Sequence, residues 1–336
     1  MNKTFVIAEA GANHDRKIEQ AFSLIDVASG SGADAVKFQT YSSETLYSKD
    51  TPDIAGYKNL NKLIKDIELP RSWQKDLKKY CDEVGIEFMS TPFDEKAVEE
   101  LVGLGVKRLK ISGFESTDFR FVEMVASAKL PLIISLGIGF PMNYLGKIFE
   151  ISNKYNNDLT LLHCNNAYPT PPEDINLGVI KSLSLDSRYK TGLSDHTTSP
   201  LTPALAVAAG AEVIEKHFTI DRSLTGPDHS FALEPEELKK MVEYIRFAEI
   251  VSSNKTSRFT SSEEEFKQVR RSVVAKVDIK PGETLSIENL TTKRPYLEGA
   301  VPAIDFFEIL GYRTDSLINK DTQVTKDKVK GYYETR

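Results

Sequence analysis

Short apolar runs alternate with longer amphipathic stretches from residue 4 to residue 251 of the chain. Eight runs have the residue types of buried β-strands, at residues 4–10, 34–40, 86–92, 108–112, 130–137, 159–164, 189–196 and 212–219. The stretches between them carry apolar residues at three- to four-residue spacing, which is typical of amphipathic helices. This alternation predicts an α/β fold, a (β/α)8 TIM barrel. An open, doubly wound sheet of eight strands remains the alternative.

Two further segments interrupt or follow this pattern. Residues 41–69 form an overlong connection after the second strand, and connections of this kind hold lids and binding loops in barrels, so we expect a partly helical flap. Residues 252–268 are rich in Ser and Thr and then acidic, as in an interdomain linker. Residues 269–336 combine β-branched runs with a Pro-Gly turn. The sequence therefore predicts a barrel at 1–251, a linker, and a small β-rich domain that has little core of its own.

The composition argues against nucleic acid and membranes as partners. The 336 residues are 40% hydrophobic and 27% charged with a net charge of -6, which argues against nucleic-acid binding. No apolar stretch approaches the roughly 20 residues of a membrane span, and the amino-terminal run is too short for a signal peptide. The two cysteines, Cys81 and Cys164, are expected to be reduced thiols. We therefore expect a cytoplasmic protein without membrane partners.

Every histidine falls at the carboxyl end of a predicted strand or in the loop that follows, which is the catalytic face of a barrel. The five are His14, His163, His196, His217 and His229. His196 and His217 end neighbouring strands about 4.8 Å apart, so their imidazoles could share one divalent cation. Two imidazoles leave positions open for substrate and water, which favours a catalytic Mn²⁺ or Mg²⁺ over a structural zinc. The alternative is a hydrogen-bonded network of the two histidines with Asp195.

Strand alternation indicates which other side chains share that face. Residues two apart point to the same side of a strand, which groups Lys37 with Gln39, Ser194 with His196 and Glu215 with His217. Lys37 and Lys110 lie inside apolar strands, and with hydroxyls such as Thr91 and Ser135 they could hold a phosphate or carboxylate. Acidic candidates for sugar hydroxyls or proton transfer at the same rim are Glu9, Glu115 and Asp228.

Several motifs in this order resemble a known family. The segments "IAEAGANH", "ADAVKFQT", "MSTPFD", "LKIS", "LLHCNNAYPTPPEDINL", "GLSDHT", "IEKHFT" and "GPDHSFALEPEEL" are similar to those of the N-acetylneuraminate (sialic acid) synthases, which make bacterial nonulosonic acids. The segment "SVVAKVDIKPGETLSIENLTTKRP" resembles the carboxy-terminal antifreeze-like (SAF) domain of that family. The resemblance covers nearly the whole chain.

The resemblance implies a metal-dependent condensation of phosphoenolpyruvate with an N-acetylmannosamine-type aldose and water, which yields a nonulosonic acid and phosphate. It implies that His196 and His217 hold the metal and that Glu115 lies near the reacting carbons. The implied phosphoenolpyruvate-binding residues are Lys37, Gln39, Thr91, Lys110, Ser135, Asn166 and Ser194, and the implied sugar-binding residues are Glu9, Tyr168, Asp228 and Arg294. Arg294 matches an arginine that the SAF domain of one subunit lends to the other, which implies a swapped homodimer.

The chain departs from the family pattern at two positions near the expected phosphate. Gly113 stands where relatives usually carry a serine, and Leu136 stands where a hydroxyl is common. The closest alternative function is the same reaction on another sugar, as in legionaminate or spore-coat polysaccharide synthases, and "GPDHSFALEPEEL" leans away from pseudaminate synthases. A non-catalytic sugar-binding barrel is the alternative from another class.

Overall fold

Eight parallel strands form the central sheet of the first of two compact units, Met1–Asn254 and Lys255–Arg336. The computed structural model describes residues 3–54, 56–186, 188–252 and 259–332. The strands are β1 (Phe5–Glu9), β2 (Ala35–Thr40), β3 (Glu87–Pro92), β4 (Leu109–Ile111), β5 (Leu132–Leu136), β6 (Leu159–Cys164), β7 (Lys190–Asp195) and β8 (Val213–His217). All eight predicted strands are confirmed.

The pairing of β1 identifies the sheet as a barrel. β1 pairs with β2 on one side, with Ile7 opposite Ala35, and with β8 on the other, with Phe5 opposite Val213. The full order is β3-β2-β1-β8-β7-β6-β5-β4. Each paired neighbour is therefore the previous or the next strand in the chain, except that β8 pairs with β1. The first and last strands are therefore neighbours, as a TIM barrel requires. The predicted barrel is confirmed, and the doubly wound alternative is wrong.

The seam of the barrel lies between β3 and β4. Among the described residues, no strand pairing joins β3 to β4, whereas each of the other seven pairs of neighbouring strands is hydrogen-bonded. A side-chain contact crosses the seam instead, because Arg108 Nε donates to Glu87 Oε1 at 2.6 Å and its Nη2 donates to Glu87 Oε2 at 3.2 Å. This two-point contact fixes the relative position of the two strand starts.

The helices cover the outside of the barrel. They are α1 (Ile18–Gly30), α2 (Ser43–Leu46), α3 (Leu60–Ile67), α4 (Gln74–Val84), α5 (Glu95–Gly103), α6 (Phe119–Ala126), α7 (Leu145–Tyr155), α8 (Gly178–Leu183), α9 (Thr202–Ala208) and α10 (Pro235–Val251). Local signals set their ends: the Asp94 side chain accepts from the Ala97 N–H at the start of α5, and Gly85 ends α4 at φ 79°. α2 and α3 lie in the 41–69 connection, so its predicted partly helical structure is confirmed, and its role as a flap remains a prediction.

The inside of the barrel consists of an apolar layer with a polar layer above it. Ile7, Ala35, Met89, Ile133, Leu162 and Val213 form a buried apolar cluster of their own. Two residues further along each of these strands, on the same face, stand Glu9, Lys37, Thr91, Ser135, Cys164 and Glu215. The apolar layer closes the barrel from below, so the polar layer becomes the floor of a cavity at the carboxyl ends of the strands.

The second unit has a core of its own. Strands β9 (Ser272–Ala275) and β10 (Leu290–Lys293) pair antiparallel, and Val273, Ile279, Leu285 and Val301 belong to a buried cluster with other apolar residues of this unit. This unit therefore has a larger core than its length led us to expect. Residues 253–258 of the predicted linker lie outside the described residues, and residues 261–269 form a short 3-10 helix. The domain boundaries at 251 and 269 remain a proposal.

A search of the described residues for helices long and apolar enough to cross a bilayer finds none.

Candidate functional site

The polar layer opens into a cavity at the carboxyl ends of the strands. The cavity encloses about 330 Å³ of space, part of it open to solvent. Eleven of the fourteen predicted site residues line it: Glu9, Lys37, Gln39, Thr91, Lys110, Ser135, Asn166, Tyr168, Ser194, His196 and His217. The structure therefore brings together residues from all eight strands or the loops that follow them.

Two lysines and two glutamates alternate across the cavity floor, and all four side chains are buried. Lys37 Nζ lies 2.6 Å from Glu9 Oε2 and 3.6 Å from Glu215 Oε2. Lys110 Nζ lies 3.3 Å from Glu215 Oε1, which also accepts from Ser194 Oγ at 2.9 Å. Glu215 thus lies between the two lysines. This arrangement gives two buried ammonium groups carboxylate partners, in a place where an unpaired charge would be costly.

The two glutamates differ in protonation because their neighbours differ. Burial, only partly offset by Lys37, raises the pKa of Glu9 to about 7. Burial also acts on Glu215, but the charges of Lys110 and Lys37 outweigh it and lower its pKa to about 2. Burial lowers the pKa of Lys110, whereas the two carboxylates raise the pKa of Lys37 despite its burial. Glu215 is therefore the permanent counter-ion of the lysine pair, and Glu9 can exchange a proton near neutral pH.

Glu215 is a site residue that the sequence prediction left out. Strand alternation already grouped it with His217, but alternation gives the face of a strand and not the partner across the barrel. Its partners Lys37 and Lys110 lie on β2 and β4, far from β8 in the chain. A charged residue inside an apolar strand, two positions before a candidate ligand, is the signal that could have identified it.

His196 and His217 lie side by side at the edge of this floor. Their ring centroids are 5.4 Å apart and both side chains are buried. This separation is compatible with one cation lying about 2.1 Å from a nitrogen of each ring. Burial lowers the pKa of His196 to about 4 and lowers that of His217 well below its usual value, so both rings are neutral, as ligation requires.

Hydrogen bonds leave nitrogens free on both rings. His196 Nδ1 lies 2.6 Å from the Asn165 carbonyl and donates to it, which leaves Nε2 as the ring's lone-pair nitrogen. His217 Nδ1 is buried without a hydrogen-bond partner among the described residues, and Asp228 Oδ2 lies 3.9 Å from it. The described residues contain no cluster of three or more His, Cys, Asp or Glu side chains placed to hold a metal ion. His196 Nε2 and the nitrogens of His217 are therefore the ring atoms that could hold a divalent cation.

The alternative network of the two histidines with Asp195 is not formed. The Asp195 carboxylate accepts from Lys216 Nζ at 2.7 Å and from the Thr197 N–H at 2.9 Å, on the outer side of the barrel wall. Lys216 is 1% exposed and its ammonium also donates to the Thr197 carbonyl. Three consecutive ionisable residues on β8 thus have separate surroundings: Glu215 and His217 point inward, and Lys216 points outward.

The other three histidines lie at the same end of the barrel but form hydrogen bonds within and between loops, apart from the His196 and His217 pair. His163 Nε2 bonds to the Ile175 carbonyl at 2.8 Å, and His14 Nδ1 accepts from a backbone N–H. His229 is fully buried between Asp15 Oδ1 at 2.9 Å and Thr219 Oγ1 at 2.6 Å.

The His229 bonds join the loop after β1 to the loop after β8. The neighbouring Asp228 reinforces this connection, because its Oδ2 accepts from the Ala12 N–H at 3.0 Å. Gly11, at φ +51°, allows the close approach, since a Cβ there would lie 2.4 Å from Asp228 Oδ2. Burial raises the pKa of Asp228. These contacts hold the Asp228 carboxylate beside His217, although Asp228 is not among the residues that line the cavity.

Glu115 lies just outside the cavity wall. Ser112 Oγ donates to Glu115 Oε2 and Ser112 lines the cavity, while burial raises the pKa of Glu115. A carboxylic acid with a raised pKa that is coupled to the cavity through a hydroxyl can transfer a proton. The third predicted residue outside the lining, Arg294, belongs to the second unit, at the residue that follows β10.

The two departures from the family pattern have structural reasons. A Cβ on Gly113 would lie 2.8 Å from Asn166 Oδ1 and 3.0 Å from the Gly137 Cα, so no side chain fits there without a shift. Ser112, one residue earlier, supplies a hydroxyl to the cavity. Leu136 is buried in the apolar cluster outside the barrel wall, so its side chain does not face the polar floor.

Comparisons with known proteins identify the family of the chain. Residues 24–257 match the NeuB family and residues 270–330 match the SAF domain. The chain is 41% identical over 304 residues to the N,N'-diacetyllegionaminic acid synthase of Legionella pneumophila, covering 87% of this chain and 85% of that protein. It is 38% identical over 301 residues to a pseudaminic acid synthase of Campylobacter jejuni, covering 87% and 88%. The leaning away from pseudaminate synthases is therefore not supported.

Solved structures show the same similarity to sugar-acid synthases. The sialic acid synthetase of Leptospira borgpetersenii aligns with a TM-score of 0.73 at 34% identity, covering 79% of this chain and 90% of that chain. Family models, curated relatives and structure thus agree over most of the chain. The chain belongs to the NeuB family of nonulosonic acid synthases.

Proposed function

We propose that the protein condenses phosphoenolpyruvate with an N-acylated mannosamine-type aldose and water, which gives a nonulosonic acid and phosphate. The observation that carries the proposal is the placement of Lys37 and Lys110 beside the His196 and His217 pair in one cavity. An anion site and a two-imidazole site in contact match the two substrates. The relatives named above support this reaction class through the products for which they are named.

Phosphoenolpyruvate binds between the two lysines in this proposal. Lys37 and Lys110 hold its carboxylate and phosphate, and Gln39, Thr91, Ser135 and Asn166 donate further hydrogen bonds to them. Ser194 joins them by turning its hydroxyl from Glu215 to the substrate. Ser135 Oγ is buried without a hydrogen-bond partner among the described residues, so its hydroxyl is available to a ligand. Fixing the enol phosphate here sets its methylene carbon against the aldehyde carbon and removes the entropy cost of that encounter.

The amino sugar binds above the histidines, against Tyr168, Asp228 and Glu9. A divalent cation, Mn²⁺ or Mg²⁺, bound by His196 and His217 would polarise the aldehyde oxygen of the sugar. The methylene carbon then forms a bond to the aldehyde carbon, and the aldehyde oxygen takes a proton, for which Glu115 is the proposed donor. Water adds to the cationic carbon that bears the phosphate, and loss of phosphate gives the 2-keto acid.

The test is phosphate release from purified protein with Mn²⁺ and phosphoenolpyruvate. We expect release only when an N-acylated amino sugar is added, and a panel of such sugars, including the precursors of legionaminate and pseudaminate, should show which is preferred. Protein treated with a chelator and then reloaded with Mn²⁺ is the control. Absence of release with every sugar in the presence of metal would leave only the non-catalytic sugar-binding alternative.

We also propose a homodimer in which Arg294 of one subunit's SAF domain reaches the sugar in the other subunit. Arg294→Ala is expected to leave the melting temperature unchanged, to raise the KM for the sugar by about tenfold or more, and to change the KM for phosphoenolpyruvate by less than about twofold. Lys293→Ala, at the neighbouring residue, is the matched control. Equal increases in both KM values would contradict the lent-arginine model.

A further inference from the structure

A buried ion pair lies on the outer face of the barrel wall, directly before the two inward histidines in the chain. Asp195 and Lys216 stand opposite each other in the register of β7 and β8, at the last paired position of these strands. Lys216 Nζ lies 2.7 Å from Asp195 Oδ2, and the side chains are 1% and 0% exposed. The next residue in the chain is His196 after Asp195 and His217 after Lys216. The strand pairing therefore ends one residue before both proposed metal ligands.

The Lys216 ammonium bonds to the residues on both sides of His196. Besides Asp195, it donates to the Thr197 carbonyl, and its Nζ lies 3.2 Å from Thr197 Oγ1. Asp195 Oδ1 in turn accepts from the Thr197 N–H at 2.9 Å. All three N–H groups of the ammonium thus have an acceptor. The backbone before and after His196 is held against the residue that precedes His217.

The other bonds of the two histidines lead to different parts of the barrel. His196 Nδ1 donates to the Asn165 carbonyl, and the His196 carbonyl accepts from the Thr170 N–H at 2.9 Å, so both bonds lead to the loop after β6. His217 stands opposite Glu9 of β1 in the strand pairing. Without a link between β7 and β8, each ring would follow its own neighbour and the separation of the rings would vary.

A second link between these strands lies one pair earlier, on the inner face. Ser194 Oγ donates to Glu215 Oε1 at 2.9 Å. In the proposed function this hydroxyl turns to phosphoenolpyruvate, so the inner link is given up when the substrate binds. Asp195 and Lys216 point away from the cavity and do not line it. The outer link can therefore persist when the substrate is bound.

A buried ion pair is a costly way to join two strands. Taking both charges out of water offsets most of their attraction, so an apolar pair of similar volume often stabilises a protein equally well. The ion pair additionally fixes the distance between particular atoms, which an apolar contact does not. Metal ligands depend on such precision, because a divalent cation requires each nitrogen at about 2.1 Å, and changes to groups that orient the ligands weaken metal binding about 10- to 100-fold.

We propose that Lys216 and Asp195 are positioning residues for the metal site. By holding the backbone on both sides of His196 against β8, they set the ring separation at which both histidines can bind one cation. The inference rests on the proposed function, because the cation concerned is the one that the condensation uses.

The test compares Mn²⁺ affinity, measured by EPR titration, with thermal unfolding in two variants. Lys216→Met leaves the Asp195 carboxylate buried and unpaired, so its melting temperature should fall. The double variant Lys216→Met with Asp195→Asn removes that charge and should recover most of the melting temperature. The link between the strands is missing from both, so the dissociation constant for Mn²⁺ should rise at least about tenfold in both.

Arg108→Met is the matched control, because it breaks the buried contact with Glu87 at the opposite end of the strands. It should lower the melting temperature and change the Mn²⁺ dissociation constant by less than about twofold.

Three results would contradict the inference, and they differ in what they leave standing. A double variant that binds Mn²⁺ with wild-type affinity would overturn the positioning role and leave the proposed function intact. A dissociation constant that follows the melting temperature across all three variants would do the same, since the pair would then act on stability alone. Wild-type protein that binds Mn²⁺ without imidazole coupling in pulsed EPR would remove the proposed metal site and the positioning role together.

Discussion

Replacement of His217 by alanine is expected to lower kcat/KM for the condensation by at least about a thousandfold. Polarisation of the aldehyde oxygen by a bound cation is worth several kcal/mol of transition-state stabilisation, and each 1.4 kcal/mol corresponds to about tenfold in rate. Among the described residues the site offers two imidazoles and no third clustered donor, so the loss of one leaves a single ligand. His196→Ala should cause a loss of the same size.

The kcat/KM of the double variant His196→Ala with His217→Ala should be little lower than that of either single variant, because the two rings act as a unit. His14→Asn is the matched control, since His14 is also buried at this end of the barrel but bonds to backbone and does not line the cavity. It should change kcat/KM by less than about tenfold. Steady-state kinetics with excess Mn²⁺, alongside thermal unfolding of each variant, measures these effects. A His217→Ala protein that retains activity within about tenfold of wild type would contradict the assignment.

Replacement of Lys110 by methionine is expected to reduce both phosphoenolpyruvate binding and stability. The substitution removes one of the two cations proposed to hold the substrate, so kcat/KM for phosphoenolpyruvate should fall by about a thousandfold or more. It also deprives buried Glu215 of its partner at 3.3 Å. Breaking a buried ion pair costs about 3–5 kcal/mol, and we expect the lower end because Lys37 remains 3.6 Å from the carboxylate.

The double variant Lys110→Met with Glu215→Gln separates the two effects. Because the unpaired charge is gone, the free energy of unfolding should recover most of the loss, whereas phosphoenolpyruvate binding should stay weak. Urea unfolding and the KM for phosphoenolpyruvate measure the two quantities on the same preparations. If the double variant recovered substrate binding together with stability, Lys110 would be a structural residue and not a substrate ligand.

Much of the barrel and its cavity could be predicted because the required signals are local. Strand positions follow from apolar runs, and the face of each side chain follows from alternation, so Lys37, Ser194 and His217 could be assigned to one face of their strands from the sequence alone. For six of the polar residues, an apolar residue on the same face stands two positions earlier in the strand, as Ile7 does before Glu9, and this spacing also indicates the inward face. Sequence periodicity therefore predicts which residues face the cavity.

The partners of these residues could not be predicted, because they depend on which strands come together. The role of Glu215 depends on Lys110 across the barrel, and the outward position of Lys216 is explained only by Asp195 on β7. His229 and His217 both follow predicted strands, and for the same reason this shared position is misleading. The bonds of His229 to Asp15 and Thr219 form only when two distant loops meet.

The most direct test of the site is pulsed EPR of Mn²⁺ bound to the protein. The two rings with centroids 5.4 Å apart predict one tightly bound ion with hyperfine coupling to two imidazole nitrogens. His196→Ala and His217→Ala should each reduce this to one nitrogen and weaken Mn²⁺ binding, and His14→Asn should show both couplings. Mn²⁺ that binds without any imidazole coupling, or with equal affinity in all three variants, would contradict the two-histidine site on which the proposed condensation depends.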